Sequence, residues 1–202
     1  MADAPAVAEN HRVSPDFLHK PTLTGDRALL RPFRPGADLP ALAAAIADPE
    51  VRRLTGSAHH PPFDEDHLRR WYGSRNEQDD RLDLALVDRA ADRCVGEVVL
   101  NEWDGPNRSC NLRILIGPGG RDRGLGTEAV RLVLGHAFGH LALHRVSLHV
   151  YAFNPRARRV YEKAGFVAEG VLREALRDGD DRVDDVVMSV LAHEWARHRG
   201  RP

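Results

Sequence analysis

One segment constrains the fold of this chain more than any other. Residues 114–127, ILIGPGGRDRGLGT, run from an apolar stretch through a loop rich in Gly and Arg into a region with helical periodicity. Ile114, Leu115 and Ile116 predict a strand. After Thr127 the apolar residues recur on one helical stripe: Ala129, Val130, Val133, Leu134, Ala137, Phe138 and Leu141. A strand that leads through such a loop into a helix places a helix N-terminus, with its unpaired N–H groups, at the end of the strand.

The chemistry of this loop suits an anionic ligand. Gly124 and Gly126 allow the backbone to approach a ligand closely, and Arg121 and Arg123 add positive charge beside the helix N-terminus. The segment lacks the Lys-Ser/Thr pair of a nucleotide triphosphate loop and the glycine spacing of a dinucleotide fingerprint. It predicts a pyrophosphate-binding loop, with an ordinary Gly-rich turn between strand and helix as the alternative.

A second segment, residues 154–166, reads NPRARRVYEKAGF. Asn154 followed by Pro155 predicts a helix start, with Asn as N-cap and Pro in the first turn, and Gly165 predicts its end. Tyr161 lies seven residues after Asn154 and so near the same helical face. The alternative interpretation is an N-cap plus a packed aromatic ring.

The remaining pattern predicts an α/β fold with a mixed sheet and helices on both faces. We expect a strand at 27–32, helices at 38–47 (with Asp38 as N-cap) and 64–75, and an antiparallel meander through 82–86, 95–100 and 111–116. Strands at 145–151, 166–171 and 185–191 complete the sheet. Residues 1–20 are expected to form a flexible arm, 21–197 a single domain and 198–202 a tail.

The composition and charge of the chain argue against several classes of protein. A chain of 202 residues with a formal net charge of −1 does not resemble a general nucleic-acid binder, which normally carries a basic excess. No apolar run is long enough to span a membrane, and the N-terminus lacks the pattern of a secretory signal. Cys94 and Cys110 lack metal-site spacing and predict reduced thiols in a cytoplasmic protein, and no metal is expected.

Together the two segments resemble the GNAT superfamily of acyl-CoA-dependent N-acetyltransferases. Its loop signature is met by Arg121, Gly124 and Gly126, and its later signature by Asn154, Ala157, Tyr161, Gly165 and Phe166. Residues 126–129, Gly-Thr-Glu-Ala, and the late Glu194-Trp195 pair resemble the RimJ/RimL-like branch. The resemblance covers residues 22–196.

The resemblance implies transfer of an acyl group, foremost acetyl, from acetyl-CoA or another acyl-CoA to a primary amine. The acceptor would be a protein N-terminus or a small-molecule amine, and a homodimer is possible. The alternatives are a module that senses acyl-CoA without turnover and a factor associated with RNA or the ribosome, the latter disfavoured by the net charge.

The resemblance also implies roles for individual residues. The backbone of Ile114, Leu115 and Ile116 would pair with the pantetheine arm. The loop residues Arg121, Asp122, Arg123, Gly124, Leu125, Gly126 and Thr127 would hold the pyrophosphate. Asn154 would bond the pantetheine or acetyl end, and Tyr161, a neutral donor at pH 7, would protonate the departing thiolate.

The general base is left open by the sequence. His149 lies five residues before Asn154, where one GNAT branch carries a Glu, and an imidazole titrates near neutrality. Asn111 falls where many RimJ/RimL-like chains carry a Glu, and it cannot titrate. Glu97 is a further candidate, and a base acting through water, or no base, are the other options. Cys110 has no evident activating base, so direct attack by the amine is expected.

Overall fold

The fold is organised around one eight-stranded sheet with the order β1-β2-β3-β4-β5-β6-β8-β7. The computed structural model describes residues 15–61 and 63–198. The strands are β1 Leu23–Thr24, β2 Ala28–Arg31, β3 Leu82–Asp88, β4 Arg93–Asp104, β5 Ser109–Ile116, β6 Arg145–Tyr151, β7 Val167–Asp178 and β8 Asp181–Leu191. All neighbouring strands are antiparallel except β5 and β6, which run parallel. The predicted mixed α/β fold is therefore confirmed.

The helices begin where the sequence supplies caps or a backbone turn. They are α1 Pro35–Ala47, α2 Pro49–Leu54, α3 Glu65–Ser74, α4 Leu125–Gly139, α5 Pro155–Lys163 and α6 Ala192–His198. The Asn154 side chain accepts a hydrogen bond from the Ala157 N–H at 3.0 Å, so Asn154 caps α5 as predicted. At the start of α4, Gly124 has φ 78°, a left-handed conformation that favours glycine.

The two faces of the sheet are covered by different helices. On one face α4 and α5 pack over the central strands, and Val130, Val133 and Leu134 are completely buried there. On the other face α1 and α3 form a smaller cluster around Leu42 and Tyr72. The sheet is thus sandwiched between helices, which buries most of its apolar side chains.

Strands β5 and β6 are hydrogen-bonded over only a short stretch. Their register runs from Ser109 opposite Arg145 to Asn111 opposite Ser147, after which no pairing continues. Beyond this point β5 stays paired with β4 as far as Ile116, and β6 stays paired with β8 as far as Tyr151. The sheet therefore splits between two central strands and leaves one edge of each facing an opening.

Several sequence expectations need correction. Asp38 does not cap the first helix; that helix begins at Pro35, and Asp38 lies inside it, buried, where Arg31 donates to both carboxylate oxygens at 2.7 Å. The Arg34 N–H at the helix terminus also donates to Asp38 Oδ2 at 2.7 Å, so the carboxylate joins the strand residue Arg31 to the start of α1.

The expected arm does not extend to residue 20. Phe17 is 1% exposed and its ring packs edge-on against Trp103, while the Lys20 ammonium donates to three backbone carbonyls, those of Phe17, Gln78 and Arg81. Residues 15–20 therefore belong to the folded unit. Residues 1–14 and most of the expected tail, 199–202, lie outside the described part of the chain.

The last two strands are also longer than the pattern suggested. The β7–β8 hairpin spans Val167–Asp178 and Asp181–Leu191, because charged residues occupy its exposed outer strand and conceal the alternation. The short elements β1, α2 and α6 were not predicted.

Candidate active site

The split between β5 and β6 opens into a cavity of about 680 Å³. Its walls come from β4, β5 and β6, from the start of α4, from α5 and from α2. Of the residues singled out from the sequence, Glu97, Ile114, Leu115, Ile116, Arg121, Asp122, Gly124, Leu125, Gly126, Thr127, His149, Asn154 and Tyr161 all line it. Residues from distant parts of the chain thus converge on one site.

The N-terminus of α4 forms one end of the cavity and presents backbone N–H groups there. Helix α4 begins at Leu125, and its first intrahelical bond comes from Glu128 N–H to the Gly124 carbonyl. The N–H groups of Leu125, Gly126 and Thr127 therefore precede the helical ladder and point toward the helix N-terminus. Gly126 has little room for a side chain, since an added Cβ would lie 3.1 Å from Ile116 Cδ1.

The strand edge at the opening carries backbone groups that do not pair with β6. Gly117 N–H donates to the Val95 carbonyl on β4 at 2.8 Å. Because backbone groups of successive strand residues point to alternate edges, those of Ile116 and Ile114 point away from β4 and toward the opening. Ile116 confirms this direction, since its carbonyl accepts from Arg121 Nε at 3.3 Å.

The two loop arginines behave differently from the sequence expectation. Arg121 lines the cavity, but its guanidinium binds the carboxylates of Asp48, at 2.7 Å, and Glu50. Arg123 does not line the cavity; its side chain pairs with the buried Asp88 on the other side of the loop. The expectation that the Arg123 side chain faces the pyrophosphate site is wrong, because a buried carboxylate holds it elsewhere.

Cations that sequence reasoning missed lie on α5. Arg156, Arg159 and Lys163 line the same cavity. Their spacing of three and four residues places them on one helical face, which is the signal that could have revealed them. Arg156 pairs with Asp122 at 3.3 Å, whereas Arg159 and Lys163 have no carboxylate within ion-pair distance among residues 15–61 and 63–198.

Asn154 and Tyr161 lie on the cavity side of α5. The Asn154 Oδ1 atom is engaged by the helix cap, which leaves the amide nitrogen as the donor available to a ligand. Tyr161 is 7% exposed, its ring packs edge-on against Phe166 with centroids 5.8 Å apart, and burial raises its pKa to about 12. The phenol therefore remains protonated throughout the neutral range.

His149 forms a pair with a buried carboxylate. Its Nδ1 atom lies 2.8 Å from Asp185 Oδ2, and its ring is half-exposed and lines the cavity, while Asp185 is 8% exposed. An Nδ1–H donated to the carboxylate leaves Nε2 as the unprotonated, accepting nitrogen. Asp185 comes from the neighbouring strand β8, 36 residues away, so no local pattern linked the two.

Glu97 lines the cavity from β4, where it pairs in register with Leu115 of β5. Burial raises the pKa of its carboxyl, and the nearby Asp83 reinforces the shift, while the Tyr72 phenol and the Arg113 guanidinium oppose it. The two candidate bases thus approach the opening from different strands. Asn111, the place where a Glu was considered, donates its amide to Asn101 Oδ1 at 3.1 Å.

The cysteines are not placed for covalent chemistry. Cys94 and Cys110 are free and buried, and burial raises their pKa values to about 11 and about 12. A thiol with such a pKa is almost entirely protonated at neutral pH and is a poor nucleophile.

Within the described residues, no group of three or more His, Cys, Asp or Glu side chains could hold a metal ion, and no helix there meets the length and hydropathy needed to cross a membrane.

The site is a cavity at a split between two parallel strands, with a helix N-terminus and several titratable side chains in its walls. The family model of the acetyltransferase (GNAT) domain matches residues 27–167. The chain therefore belongs to the GNAT family of acetyltransferases.

Individual relatives support the same assignment. The chain is 32% identical to the probable N-acetyltransferase YjcK of Bacillus subtilis over 121 residues, which are 59% of this chain and 67% of the relative. It is 36% identical over 89 residues to the spermidine N(1)-acetyltransferase of Vibrio cholerae, covering 44% of this chain and 51% of that one.

Solved structures extend the likeness to nearly the whole fold. The Vibrio cholerae spermidine N-acetyltransferase in complex with CoA and spermine superposes with a TM-score of 0.76 at 25% identity, covering 85% of this chain and 99% of that one. A crystal structure described as a putative acetyltransferase is 30% identical, with a TM-score of 0.71 over 88% of this chain and 89% of that one. The chain is accordingly an N-acetyltransferase of the GNAT family.

Proposed function

We propose that this enzyme transfers an acetyl group from acetyl-CoA to a primary amine by direct attack, with His149 as the base and Tyr161 as the acid. The single observation that carries the proposal is the split of β5 from β6, which brings a helix N-terminus, a free strand edge, a buried phenol and a paired imidazole to one cavity. No protein nucleophile is required, because the thioester supplies an already activated acyl group.

The residues at the phosphate end fit acetyl-CoA. The N–H groups at the start of α4 suit the pyrophosphate of CoA. The charges of Arg159 and Lys163 suit the separate phosphate on the ribose of CoA. The edge groups of Ile114 and Ile116 suit the amides of the pantetheine arm. Arg121 acts indirectly in this proposal, since its bonds to Asp48 and Glu50 fasten the loop to α2.

A matched set of α5 variants tests the phosphate assignment. Arg159→Met and Lys163→Met should each weaken CoA binding by about tenfold, the range of a charge-assisted contact, and leave the binding of unphosphorylated pantetheine unchanged. Arg158→Met is the control, because Arg158 pairs with Glu162 and does not line the cavity. Equal affinity of all variants for CoA in calorimetry would contradict the assignment.

In the chemical step His149 Nε2 accepts a proton from the attacking amine. Asp185 positions the ring by holding Nδ1. A backbone N–H at the β5 edge, at Ile114 or Ile116, donates to the oxygen on which negative charge develops. Tyr161 donates to the departing sulfur. Each group acts on a different atom, so their variants are expected to have separable effects.

Glu97 is the second candidate for the base. Its raised pKa and its place in the cavity wall favour it, whereas its position among Tyr72 and Asp83 places it deeper than His149. His149→Gln and Glu97→Gln distinguish the two. The variant that lacks the base should lose about 10²- to 10³-fold in kcat/KM at neutral pH and regain activity as rising pH supplies free amine.

Asp185→Asn separates a positioning role from a structural one. It should lower kcat with little change in KM for acetyl-CoA, and the ¹⁵N shifts of the His149 ring should change from a single tautomer to a mixture. Unchanged ring shifts, or a loss of folded protein without a kinetic effect, would contradict the positioning role.

The overall activity is tested by following release of the CoA thiol while the protein is incubated with acetyl-CoA and a panel of amines. Release that depends on the amine supports the enzyme. Tight acetyl-CoA binding in calorimetry without release for any amine would instead support a sensing module. The panel includes peptides with free N-termini, polyamines, amino sugars and amino acids, because the acceptor is a protein N-terminus or a small molecule.

The finer family assignment is also part of this proposal. We place the chain in the RimJ/RimL-like branch on the Gly-Thr-Glu-Ala run at residues 126–129 and on its 32% identity, over 100 residues, to YdaF of Bacillus subtilis, described as a putative ribosomal N-acetyltransferase. A homodimer and a cytoplasmic location follow as further expectations of that assignment. Sedimentation and cell fractionation test them.

A further inference from the structure

A cation, Arg113, lies in the part of the cavity opposite the phosphate end. It is on β5, two residues beyond Asn111, and His149 is two residues beyond Ser147 on β6. Asn111 and Ser147 are partners in the parallel register, so Arg113 and His149 occupy corresponding positions on the same face of the diverging strands. Their side chains therefore approach the opening from its two sides, and both line the cavity.

Arg113 differs from the other arginines of this face because its charge is not neutralised. Arg81 pairs with Asp83 at 2.6 Å, and Arg145 pairs with Glu169. Arg113 is exposed to the cavity, and within residues 15–61 and 63–198 no carboxylate lies within ion-pair distance of it.

The Arg113 charge affects the pKa of one group on each side of the opening. On the β4 side burial raises the pKa of Glu97, and Arg113 opposes that shift. On the β6 side burial and then Asp185 raise the pKa of Tyr151, and Arg113 opposes that shift as well. Arg113, Glu97 and Tyr151 all line the same cavity.

We propose that the acceptor is a small primary amine that carries an anionic group, foremost a carboxylate, close to its nitrogen, and that Arg113 binds this anion while His149 receives the amine. The inference rests on the proposed function and names its substrate class. A planar guanidinium with paired donors is suited to a carboxylate. The nitrogen and the carboxylate of an α-amino acid are held by one carbon, which suits two side chains that project from corresponding positions of neighbouring strands.

The same charge disfavours a polyamine. A second ammonium group held beside Arg113 would meet a like charge, which is repulsive. The carboxyls of Glu97 and Glu102 line the same cavity, so the disfavour applies to an ammonium at the Arg113 position and not to the whole cavity. The proposed acceptor class therefore differs from the spermidine in the names of the Vibrio cholerae relatives.

The experiment compares matched acceptors that differ only in the anion. The pairs are leucine with isopentylamine and phenylalanine with phenethylamine; aminoethylphosphonate and spermidine complete the panel. The wild-type enzyme should show a kcat/KM about 10- to 100-fold higher for the amino acid of each pair, the effect of one charge-assisted contact. Activity with aminoethylphosphonate but not with the amino acids would show that the anion is a phosphonate or phosphate, within the same proposal.

Variants assign the preference to Arg113. Arg113→Met should remove the advantage of the amino acid, leave kcat/KM for the neutral amine within about twofold, and leave acetyl-CoA affinity unchanged. Arg113→Glu should reverse the preference toward spermidine. The control is Arg69→Met, an exposed arginine of α3 outside the cavity. Circular dichroism and thermal unfolding verify that each variant is folded.

Three results would overturn the inference: equal activity on both members of each pair, an equal loss on both in Arg113→Met, or an effect of that variant on acetyl-CoA affinity. If no amine releases thiol, acceptor binding to the acetyl-CoA-loaded protein is measured by saturation-transfer NMR. Binding of leucine but not isopentylamine would then support the anion site while refuting turnover. Binding of neither would overturn the site.

Discussion

Replacing Tyr161 by Phe removes one hydroxyl from the centre of the proposed reaction and leaves the ring in place. The ring is 7% exposed and packs against Phe166, and burial raises the phenol's pKa to about 12. Because burial makes the phenol hold its proton more strongly, the proton passes to sulfur late, after negative charge has developed there. Tyr161 is therefore expected to act mainly by donating a strong hydrogen bond as negative charge develops on sulfur.

The size of the effect follows from that role. Removing a donor to a developing charge in an enclosed site costs about 3–4 kcal/mol, so kcat should fall about 10²- to 10³-fold. The affinity for acetyl-CoA should change less than twofold, and stability by less than about 1 kcal/mol, because the packing of the ring is retained. Release of free CoA measured with a thiol reagent gives kcat, and calorimetry gives the affinity.

Phe166→Leu is the control for packing. This substitution makes the side chain that packs against Tyr161 smaller and leaves the Tyr161 hydroxyl in place. It should therefore lower the free energy of unfolding by about 1 kcal/mol and change kcat only slightly. The high pKa gives a further check: no descending limb that depends on Tyr161 should occur in the pH profile below about pH 11. Equal kcat for wild type and Tyr161→Phe, or an equal loss in Phe166→Leu, would refute the acid role.

Two other perturbations have defined outcomes. Gly126→Val should weaken acetyl-CoA binding at least about tenfold, because the valine side chain would contact Ile116 and block access to the helix N-terminus. Gly135→Val is the control, since Gly135 has open space around it and the substitution should leave binding unchanged. Calorimetry measures both affinities. Burial, aided by neighbouring histidines, lowers the pKa of His136 to about 4. As the pH falls, the unfolded state therefore takes up the His136 proton before the folded state does. The free energy of unfolding should consequently fall by about 1–2 kcal/mol from pH 7 to pH 5. Urea unfolding of wild type and His136→Leu measures this, and an unchanged pH dependence in the variant would contradict it.

The parts of the fold that the sequence predicted were those determined by local signals. Asn154 and Pro155 start α5 at the predicted residue, and the alternation in β6 gives its observed bounds, Arg145–Tyr151. Caps, periodicity and proline act within a few residues, so one sequence suffices to recognise them. The convergence of the two motifs on one cavity followed from their resemblance to a known family.

The side-chain partners could not be predicted, because they depend on contacts between distant segments. Arg121 is held by Asp48, the N-cap of α2, and by Glu50 within α2, both more than 70 residues earlier, and Arg123 is held by Asp88. A pattern shows that a charge is present, but only the fold shows whether another charge neutralises it. The sequence placed both arginines in the loop, but it did not show that carboxylates from distant segments already bind their side chains.

Proline substitutions in β5 test whether its edge is separated from β6. The Ile114 N–H points toward the opening, whereas that of the next residue, Leu115, points toward β4. Ile114→Pro should therefore weaken acetyl-CoA binding about tenfold and cost little more stability than Ile114→Ala, which removes the side chain and keeps the N–H. Leu115→Pro should instead cost about 3 kcal/mol or more, because it removes a donor from a central ladder. Urea unfolding and calorimetry on the three variants measure both quantities, and equal losses of stability in the two proline variants would mean that the edge of β5 is not free.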